Sequence, residues 1–580
     1  MYPCRIEDPN LLVPTVAPDW VMHARHDRER ALRLAVELGC PVAVAHVLLH
    51  RGVDSERQAQ RFLAPALEDL HDPQDLLDLD RAIERIALAL LRGERILVHG
   101  DYDVDGITST FLLHSVLGDL GGRVEHHIPQ RSLERSGLSD AAIEQARRQG
   151  CTLIVTVDCG ITAVAAIRRA AGLGIDTVIT DHHEPPATLP PAVAIVNPRR
   201  PGCAYPFKSL AGVGVTFKLA EALLRGRGGL DRAREYLDVV ALGTIADVVP
   251  LTGENRVLAW HGLDRMNRMP RPGLAALAEV AKIGGRRITG HEVAFVLAPR
   301  INAAGRMGNA EQGLRLLMAR DRGEALACAE SLQEENVRRR EADEKVLVDA
   351  VQRVEAEVPL PDRAAIVLWS DHWHPGVIGI VAARLMQRYQ RPTILIALDG
   401  DRGRGSGRSL AGLDLNALLS DCGDLLEGWG GHALAAGLTV RRDRLLEFRT
   451  RVETLAAQRL APGAFTPQMV VDADVTIHDC GFETVDWLER MAPHGLGNPE
   501  AQFRSLGLVV ESVTTVKEGR HLRATLRDGT GRAEAIGFGL GELAPRLPRG
   551  TRCEAVFTPI RNEWQGETRV QLKLKGVRPA

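Results

Sequence analysis

The sequence predicts an α/β protein of several domains: two α/β domains joined by a long helix, then a small C-terminal β-barrel. Three observations carry that expectation. From residue 81 apolar strand-like runs alternate with amphipathic helix-like runs, the pattern of a doubly wound, mostly parallel sheet. The alternation resumes at residue 364, after a stretch over 322–357 rich in Glu, Arg and Ala. From about residue 465 only short strand-like runs remain, separated by turn signals, as in a small barrel.

Each element has its own local reason. Residues 1–80 read as polar and helical, broken at Pro65 and Pro73. DRAIERIALALLRG is an amphipathic helix closed by Gly93. ERILVHG follows as a buried strand, GITSTFLLHSVLGDLGG as a helix and RVEHHIP as a strand. LSDAAIEQARRQG has a Ser-Asp start and a Gly stop. CTLIVTVDCG, TAVAAIRRAAGLG and IDTVITDHHE continue as strand, helix and strand. PPATLPP and PRRPG are polar punctuation before a second helical stretch that reaches about residue 318. Residues 322–357 read as one long solvated helix that bridges two domains. AAIVLWS, RPTILIAL and GGHALAAGLTV open the second α/β pattern. MVVDADVTI, LGLVVESVTTV, HLRATLRD, AEAIGFG, RCEAVFTP and RVQLKLKGV supply the closing strands. The expected divisions are 1–80, 81–320, 321–358, 359–460 and 461–580.

Composition narrows the function classes. At 580 residues, 45% hydrophobic and 25% charged, the chain is ordinary globular protein, too long for one core. MYPCRIEDPNLLVPTVAPDW has neither a basic start nor an apolar run, so no secretory signal is expected. No run suggests a membrane span. Nine scattered cysteines without a Cys-x-x-Cys pair argue against a disulfide framework and a cysteine zinc site, and a reducing cytoplasm is expected. A formal charge of -3 and 4% aromatics withhold the usual first signs of a nucleic-acid binder.

The chemistry concentrates at strand ends. VHGDYDVDG places His99, then Asp101, Asp103 and Asp105 on alternate positions. VTVDCG ends in Asp158, VITDHH in Asp181, His182 and His183, and ALGTIADVVPL carries Asp247. Ligands bind beyond the carboxyl ends of strands in a doubly wound sheet, so these four groups are expected to converge. Taken singly, each reads as a turn residue or helix cap. Four in succession read as a metal site. Carboxylates and imidazoles without thiolates suit Mn²⁺ or Mg²⁺. So many carboxylates fit two ions, roughly 3.5–4 Å apart, which activate water and clamp an in-line phosphoryl displacement. His126-His127 and His114 fall outside the pattern and read as structural.

GDYDVDG, VDCG, ITDHH and GTIADVVPL, in that order, resemble the four motifs of the DHH phosphoesterase family. GSGRS (405–409) and GGHALAAG (430–437) resemble its companion DHHA1 domain. HRGVDSERQAQRFLAPALEDLHDP, APRINAAGRMGNA and PHGLGNPEAQF narrow the resemblance to the family's single-stranded-DNA exonucleases, over about residues 40–575. The third and fifth divisions then correspond to the connecting helix and an OB-type nucleic-acid-binding domain, flanking DHHA1.

The resemblance implies residue roles. His99, Asp103, Asp105, Asp158, His182 and Asp247 would bind two Mn²⁺ or Mg²⁺ ions. His183 would contact the scissile phosphate, with Asp101 and Asp181 orienting ligands. Ser406, Gly407 and Arg408 would grip phosphates, the glycines by bare backbone N–H groups, and His432 would face the same cleft. Arg300, Asn302 and Arg306 would line the strand's path, and Arg131 the 5′ phosphate. Lys517, Arg520, His521, Arg523 and Trp564 are OB-surface candidates. Two departures stand out: LAGVGV replaces the usual LCGAGV, and Ser136 stands in the stretch where relatives carry an aromatic. The implied activity is 5′→3′ release of mononucleotides from single-stranded DNA in repair and recombination, with a cleft too narrow for duplex. The implied partners are a single-strand-binding protein and a helicase. A small-substrate phosphodiesterase or pyrophosphatase, and a non-catalytic single-strand scaffold, are the competing readings; the added terminal regions argue against the first and the complete ligand set against the second.

Overall fold

The structure is a computed structural model that describes residues 16–130, 137–357, 363–461, 463–564 and 566–580. Arg131 and Ser136 lie outside the described residues, as does the side chain of Trp564. Two compact units form. One comprises residues 55–337 and 489–500; the other comprises the described residues through Asp54 together with 338–488 and 501–580. The stretch before residue 80 is therefore divided at Asp54 rather than forming one helical region.

The described chain begins with β1 (Asp19–Met22), α1 (Arg28–Leu38) and α2 (Val42–His50). The Asp27 carboxylate caps α1 by accepting the Arg30 N–H, and Gly39 closes it at φ 61°. Then α3 (Glu56–Leu63) and α4 (Leu79–Arg92) lead into the first sheet.

That sheet has five parallel strands in the order β3-β2-β4-β5-β6: β2 (Arg95–His99), β3 (Arg123–His127), β4 (Cys151–Val157), β5 (Asp176–Thr180) and β6 (Ala194–Val196). Helices α5 (Val104–Asp119), α6 (Asp140–Gln149) and α7 (Val164–Gly172) connect them. Alternate strand residues enter opposite cores. Ile96, Val98, Leu153 and Val155 join one with α4 and α5, while Leu97 and Ile154 join the other with α6 and α7. Both faces are covered, which accounts for the nearly continuous apolar strands. Strand order reverses at β2, between β3 and β4. The aspartate motif leaves β2 at that switch point.

Helix α8 (Gly212–Leu223), α9 (Leu237–Ala246) and α10 (Ala298–Met307) complete the surroundings of the site. Asp247 caps the C-terminus of α9 rather than ending a strand. Residues 237–245 are buried on every side, so their apolar run carries no period to separate helix from strand. Helix α11 (Arg322–Glu357) has the expected bounds but is not solvated all round. Ala325, Ala329 and Leu332 belong to the first unit's core, and Val346, Leu347, Ala350, Val351 and Val354 to a core of the other unit.

The second unit holds a mixed sheet in the order β10-β11-β9-β8-β7. Its members are β7 (Ile366–Ser370), β8 (Thr393–Asp399), β9 (Arg402–Arg408), β10 (Leu426–Gly431) and β11 (Ala435–Arg441), with α12 (Ile378–Tyr389) after β7. The GSGR stretch is not a loop. It lies in β9, paired to β8 on one edge and β11 on the other. Its alternate glycines make room for the core: a Cβ on Gly403, Gly405 or Gly407 would come within 2.5, 2.7 or 2.8 Å of Ile396, Leu438 or Leu415 respectively.

Strands β12 (Gln468–Val471) and β13 (Ala473–Asp474) precede the barrel, and β12 pairs in parallel with β1. The barrel comprises β14 (Phe503–Val516), β15 (His521–Arg527), β16 (Arg532–Gly537), β17 (Arg552–Trp564) and β18 (Glu567–Pro579). Pairing runs β14-β15-β16-β18-β17, and β17 closes back on β14. Closure removes the exposed sheet edges. Among the described residues, no single helix is long and apolar enough to cross a membrane.

Candidate active site

The site forms beyond the carboxyl ends of β2, β4 and β5. Asp103 is the N-cap of α5, its Oδ1 accepting the Gly106 N–H at 3.1 Å. Asp105, in the first turn, is buried. Its Oδ2 accepts Gly212 N–H at 2.7 Å and its Oδ1 accepts Val213 N–H at 2.8 Å, both from the start of α8. Asp158 follows β4 at φ 59°, a left-handed position that a carboxylate side chain tolerates better than most. Gly212 has no room for a side chain, since a Cβ there would lie 2.4 Å from Asp158 Oδ1.

His182 is held from behind. Its Nδ1 lies 3.1 Å from the Leu210 carbonyl, which turns Nε2 toward Asp158 Oδ1 at 3.2 Å and Asp247 Oδ2 at 3.7 Å. Those three atoms are buried and have no hydrogen-bond partner. Ligand atoms of Asp105, His182 and Asp247 lie within 4.8 Å of one another, as do those of Asp158, His182 and His183. At about 4 Å two like charges repel by about 4 kcal/mol in a protein-like dielectric. A neutral imidazole lone pair facing two carboxylates adds to that conflict. Protons or metal cations between the atoms relieve it, and a set of carboxylates and imidazoles without thiolates fits divalent ions of the Mn²⁺ and Mg²⁺ kind.

The ionisation equilibria show the same strain. Burial, then the charges of Asp105 and Asp103, push the Asp158 carboxyl well above the usual range. Burial and the same two neighbours do so for Asp247. Burial and Asp103 raise Asp105 to about 7, against the pull of its two backbone donors. Burial and the neighbouring His183 lower His182 to about 4, which keeps it neutral and able to ligate.

Asp181 has a different task. Its Oδ1 accepts the backbone N–H groups of His182 and His183 at 2.7 and 3.0 Å and sits 2.7 Å from His183 Nδ1; its Oδ2 accepts Ile161 N–H at 2.9 Å. Burial raises its pKa, but the His183 hydrogen bond and charge and these donors outweigh burial and hold it below its ordinary value. Burial disfavours charge on His183; the Asp181 bond and charge prevail and raise it to about 9. His183 is thus a partly exposed imidazolium beside the carboxylate cluster.

Other predicted residues fall less uniformly. His99 Nε2 lies 3.2 Å from the Gly137 carbonyl, which presents Nδ1 on the ring's opposite edge, and its ring stacks on His127 at 5.2 Å. His99 and Asp103 are outside the tight ligand groups, though Asp103 lines the same cavity as Asp105 and Asp247. Asp101 Oδ1 accepts the Tyr102 N–H at 2.7 Å. Asn302 and Arg306, one turn apart on α10, line that cavity, and Asn302 Oδ1 accepts Val104 N–H at 3.1 Å. Arg300 instead reaches Gln333 Oε1 at 2.8 Å and the Val296 carbonyl at 2.6 Å.

In the other unit, Ser406 and Arg408 lie on the β9 face opposite the glycines, toward α12. Arg408 Nη1 donates to Ser406 Oγ at 3.2 Å, and both side chains approach Gly379 in the first turn of α12. The Gly407 backbone is engaged in the sheet on both edges, so the expected cradle of bare N–H groups does not form there. His432 is exposed in the turn between β10 and β11. On the barrel, Arg523 pairs with Glu534 and His521 Nδ1 accepts the Gly539 N–H.

Several contributors escaped the sequence reading. Asn197 Nδ2 donates to the His183 carbonyl at 2.9 Å, and its Oδ1 accepts the Arg199 N–H at 2.8 Å. The NPRRPG stretch containing them reads as loop punctuation, and only its place after β6 marks it. Gly212 and Val213 belong to LAGVGV, whose glycine was the available signal. Phe538, exposed and edge-on to His521 at 5.3 Å, is an aromatic on the barrel surface with no local signature.

Comparisons with known proteins agree with this construction. Residues 95–244 match the DHH family, N-terminal domain; residues 362–458 match the DHHA1 domain; residues 471–576 match the RecJ OB domain. The single-stranded-DNA-specific exonuclease RecJ of Bacillus subtilis is 37% identical over 554 residues, which is 95% of this chain and 70% of that protein. Its Escherichia coli namesake is 36% identical over 83% of this chain and 85% of its own. The crystal structure of RecJ in complex with Mn²⁺ from Thermus thermophilus superposes with a TM-score of 0.83 at 33% identity, covering 97% of this chain and 79% of that one. The Mg²⁺ complex of that protein gives a TM-score of 0.78 at 32% identity, with 97% and 78% covered. With three domain families matched in order and relatives of this identity spanning most of the chain, the chain belongs to the RecJ family of DHH phosphoesterases.

Proposed function

We propose that this chain is a divalent-metal-dependent exonuclease that releases mononucleotides from the 5′ end of single-stranded DNA. The observation that carries the reading is the knot of Asp158 Oδ1, His182 Nε2 and Asp247 Oδ2, buried together without hydrogen-bond partners at the sheet's switch point. His99, Asp103, Asp105, Asp158, His182 and Asp247 would hold two Mn²⁺ or Mg²⁺ ions, the ions present in the solved Thermus relative. Bound there, the ions supply an activated water and offset the charge that develops on the phosphate oxygens.

The chain's own groups do the rest. His183, kept cationic by Asp181, places a donor against the scissile phosphate. Asp181 fixes the backbone of both histidines and so their aim. Asn302 and Arg306 line the approach to the carboxylates. Ser406 and Arg408 offer side-chain donors to backbone phosphates, and the barrel offers a further single-strand surface. Specificity on this reading comes from shape and phosphate contacts, not base edges. It extends to a role in DNA repair and recombination, a cytoplasmic location, and a single-strand-binding protein and a helicase as partners. Co-purification tests those partners.

The experiment is digestion of end-labelled 5′-overhang, 3′-overhang and blunt duplexes with Mn²⁺, Mg²⁺ or chelator. Metal-dependent loss of nucleotides from the 5′ overhang alone is expected. Hydrolysis restricted to pyrophosphate or dinucleotides would move the same centre to small phosphoesters. Binding without any hydrolysis would make the chain a scaffold.

A further inference from the structure

Far from the carboxylate knot in sequence, four histidines gather where β1 gives way to α1. His46 and His50 lie one turn apart on α2 and share a face. Both are buried, at 4% and 8% exposure. His26, exposed, immediately precedes the α1 cap, and its ring stacks on His46 at a centroid distance of 4.0 Å. His23 stacks on His50 at 3.8 Å. One ring nitrogen from each of His26, His46 and His50 falls within a mutual 4.8 Å.

The hydrogen-bond pattern gives this cluster direction. His50 Nδ1 lies 2.8 Å from Asp472 Oδ1, between β12 and β13. That bond fixes the tautomer and aims Nε2 into the cluster, where it is buried and has no hydrogen-bond partner. His46 Nδ1 is buried and without a hydrogen-bond partner as well. Two such atoms in one cluster are costly in a protein interior unless something binds them. A carboxylate behind a histidine whose other nitrogen points at a shared centre is the arrangement that orients metal-ligating imidazoles.

We propose that His26, His46 and His50 form a second metal site, selective for a late first-row divalent cation such as Zn²⁺, with Asp472 as the positioning residue behind His50. An all-imidazole set favours zinc, cobalt, nickel or copper over the Mn²⁺ and Mg²⁺ that suit the oxygen-rich centre. Burial, with the charges of His26 and His50, holds His46 at about 4, so it is neutral at physiological pH and needs no deprotonation to bind. The His26 ring stacks parallel to His46, so joint ligation requires it to rotate, which its exposure permits. Through these ligands the ion pins the segment after β1 to α2 and, through Asp472, to the β12–β13 junction that β1 pairs beside. The scarcity of paired cysteines does not bear on it, because no thiolate takes part.

The test uses the full chain, stripped with a chelator and titrated with Co²⁺ while visible absorption is followed. Wild type and an Asp158→Ala variant should both show the intense bands of nitrogen-ligated, low-coordinate Co²⁺. His50→Gln and His26→Gln should both lose them, and Zn²⁺ should displace Co²⁺ from wild type. His26→Gln keeps the question answerable if His50→Gln fails to fold, because His26 is exposed. In parallel, Zn²⁺ should raise the melting temperature of Asp158→Ala but not of the Asp158→Ala, His26→Gln double variant, in which both centres are disabled. His26→Gln should retain wild-type DNA cleavage in Mn²⁺. Unchanged Co²⁺ bands in His26→Gln, bands lost in Asp158→Ala, or no bands in wild type would overturn the proposal.

Discussion

Two glycine-bearing motifs, one in each unit, do opposite things with the same residue. At the first sheet, Gly212 has no side chain so that a carboxylate can stand there: Asp158 Oδ1 occupies the space a Cβ would need. In β9, Gly403, Gly405 and Gly407 have none so that Ile396, Leu438 and Leu415 can pack. One set of glycines serves chemistry and the other serves a core. The difference teaches that a glycine-rich motif names a close approach, while only the fold says what approaches.

The largest effect that sharpens this contrast is expected from Gly212→Ala. Its Cβ displaces the Asp158 carboxylate, and misplacement by about 1 Å at a reacting centre costs roughly 10²-fold or more in rate. Steady-state cleavage of a labelled single strand in Mn²⁺ reads this out; a rate within a few-fold of wild type would contradict it. Next comes Asp181→Asn, which weakens the hold on His183 and both backbone N–H groups. A fall of roughly 10–100-fold is expected in activity or metal affinity, with an unchanged melting temperature in chelator as the companion control.

Metal binding should also release protons. Asp105 at about 7, and Asp158 and Asp247 held well above the ordinary carboxylate range, bind protons that a divalent ion must displace. Raised carboxyl values mean that the ligating form grows as pH rises, so Mn²⁺ affinity should increase with pH through about 7. Calorimetry in buffers of different ionisation enthalpy measures the protons released, and a pH-independent affinity would count against the strained-carboxylate account.

The smallest catalytic effect is expected on the other side of the comparison. Gly405→Ala places a Cβ 2.7 Å from Leu438 and should destabilise by about 1–3 kcal/mol. Denaturant unfolding checks this. The rate per folded molecule should stay near wild type, and Leu438→Ala should recover part of the loss. A large rate defect without destabilisation would return these glycines to phosphate binding.

Much of this architecture was legible because the signals are local. The apolar runs before Asp101, Asp158 and Asp181 read as strands, and the motifs after them as strand ends. Helix α11 was legible to its termini from composition alone, although its two buried faces were not, since each faces a core assembled from distant chain. The misreadings share a cause. Asp247 reads as a strand end because residues 237–245 are buried all round and carry no period. The pairing of β1 with β12 joins segments that no local pattern connects. GSGRS reads as a phosphate cradle because glycine marks the close approach of a ligand and of a core side chain alike. Asn197 supports His183 from a stretch whose composition says only loop.

On the proposed function, the knot of Asp105, Asp158, His182 and Asp247 holds the ions that cleave single-stranded DNA. The most direct measurement is paired: Mn²⁺ bound per chain and cleavage of a 5′ overhang, in wild type and in Asp158→Asn. The substitution should lower Mn²⁺ binding and abolish cleavage together while the protein stays folded and binds the strand. Cleavage by Asp158→Asn at the wild-type rate, or by wild type in chelator, would contradict it.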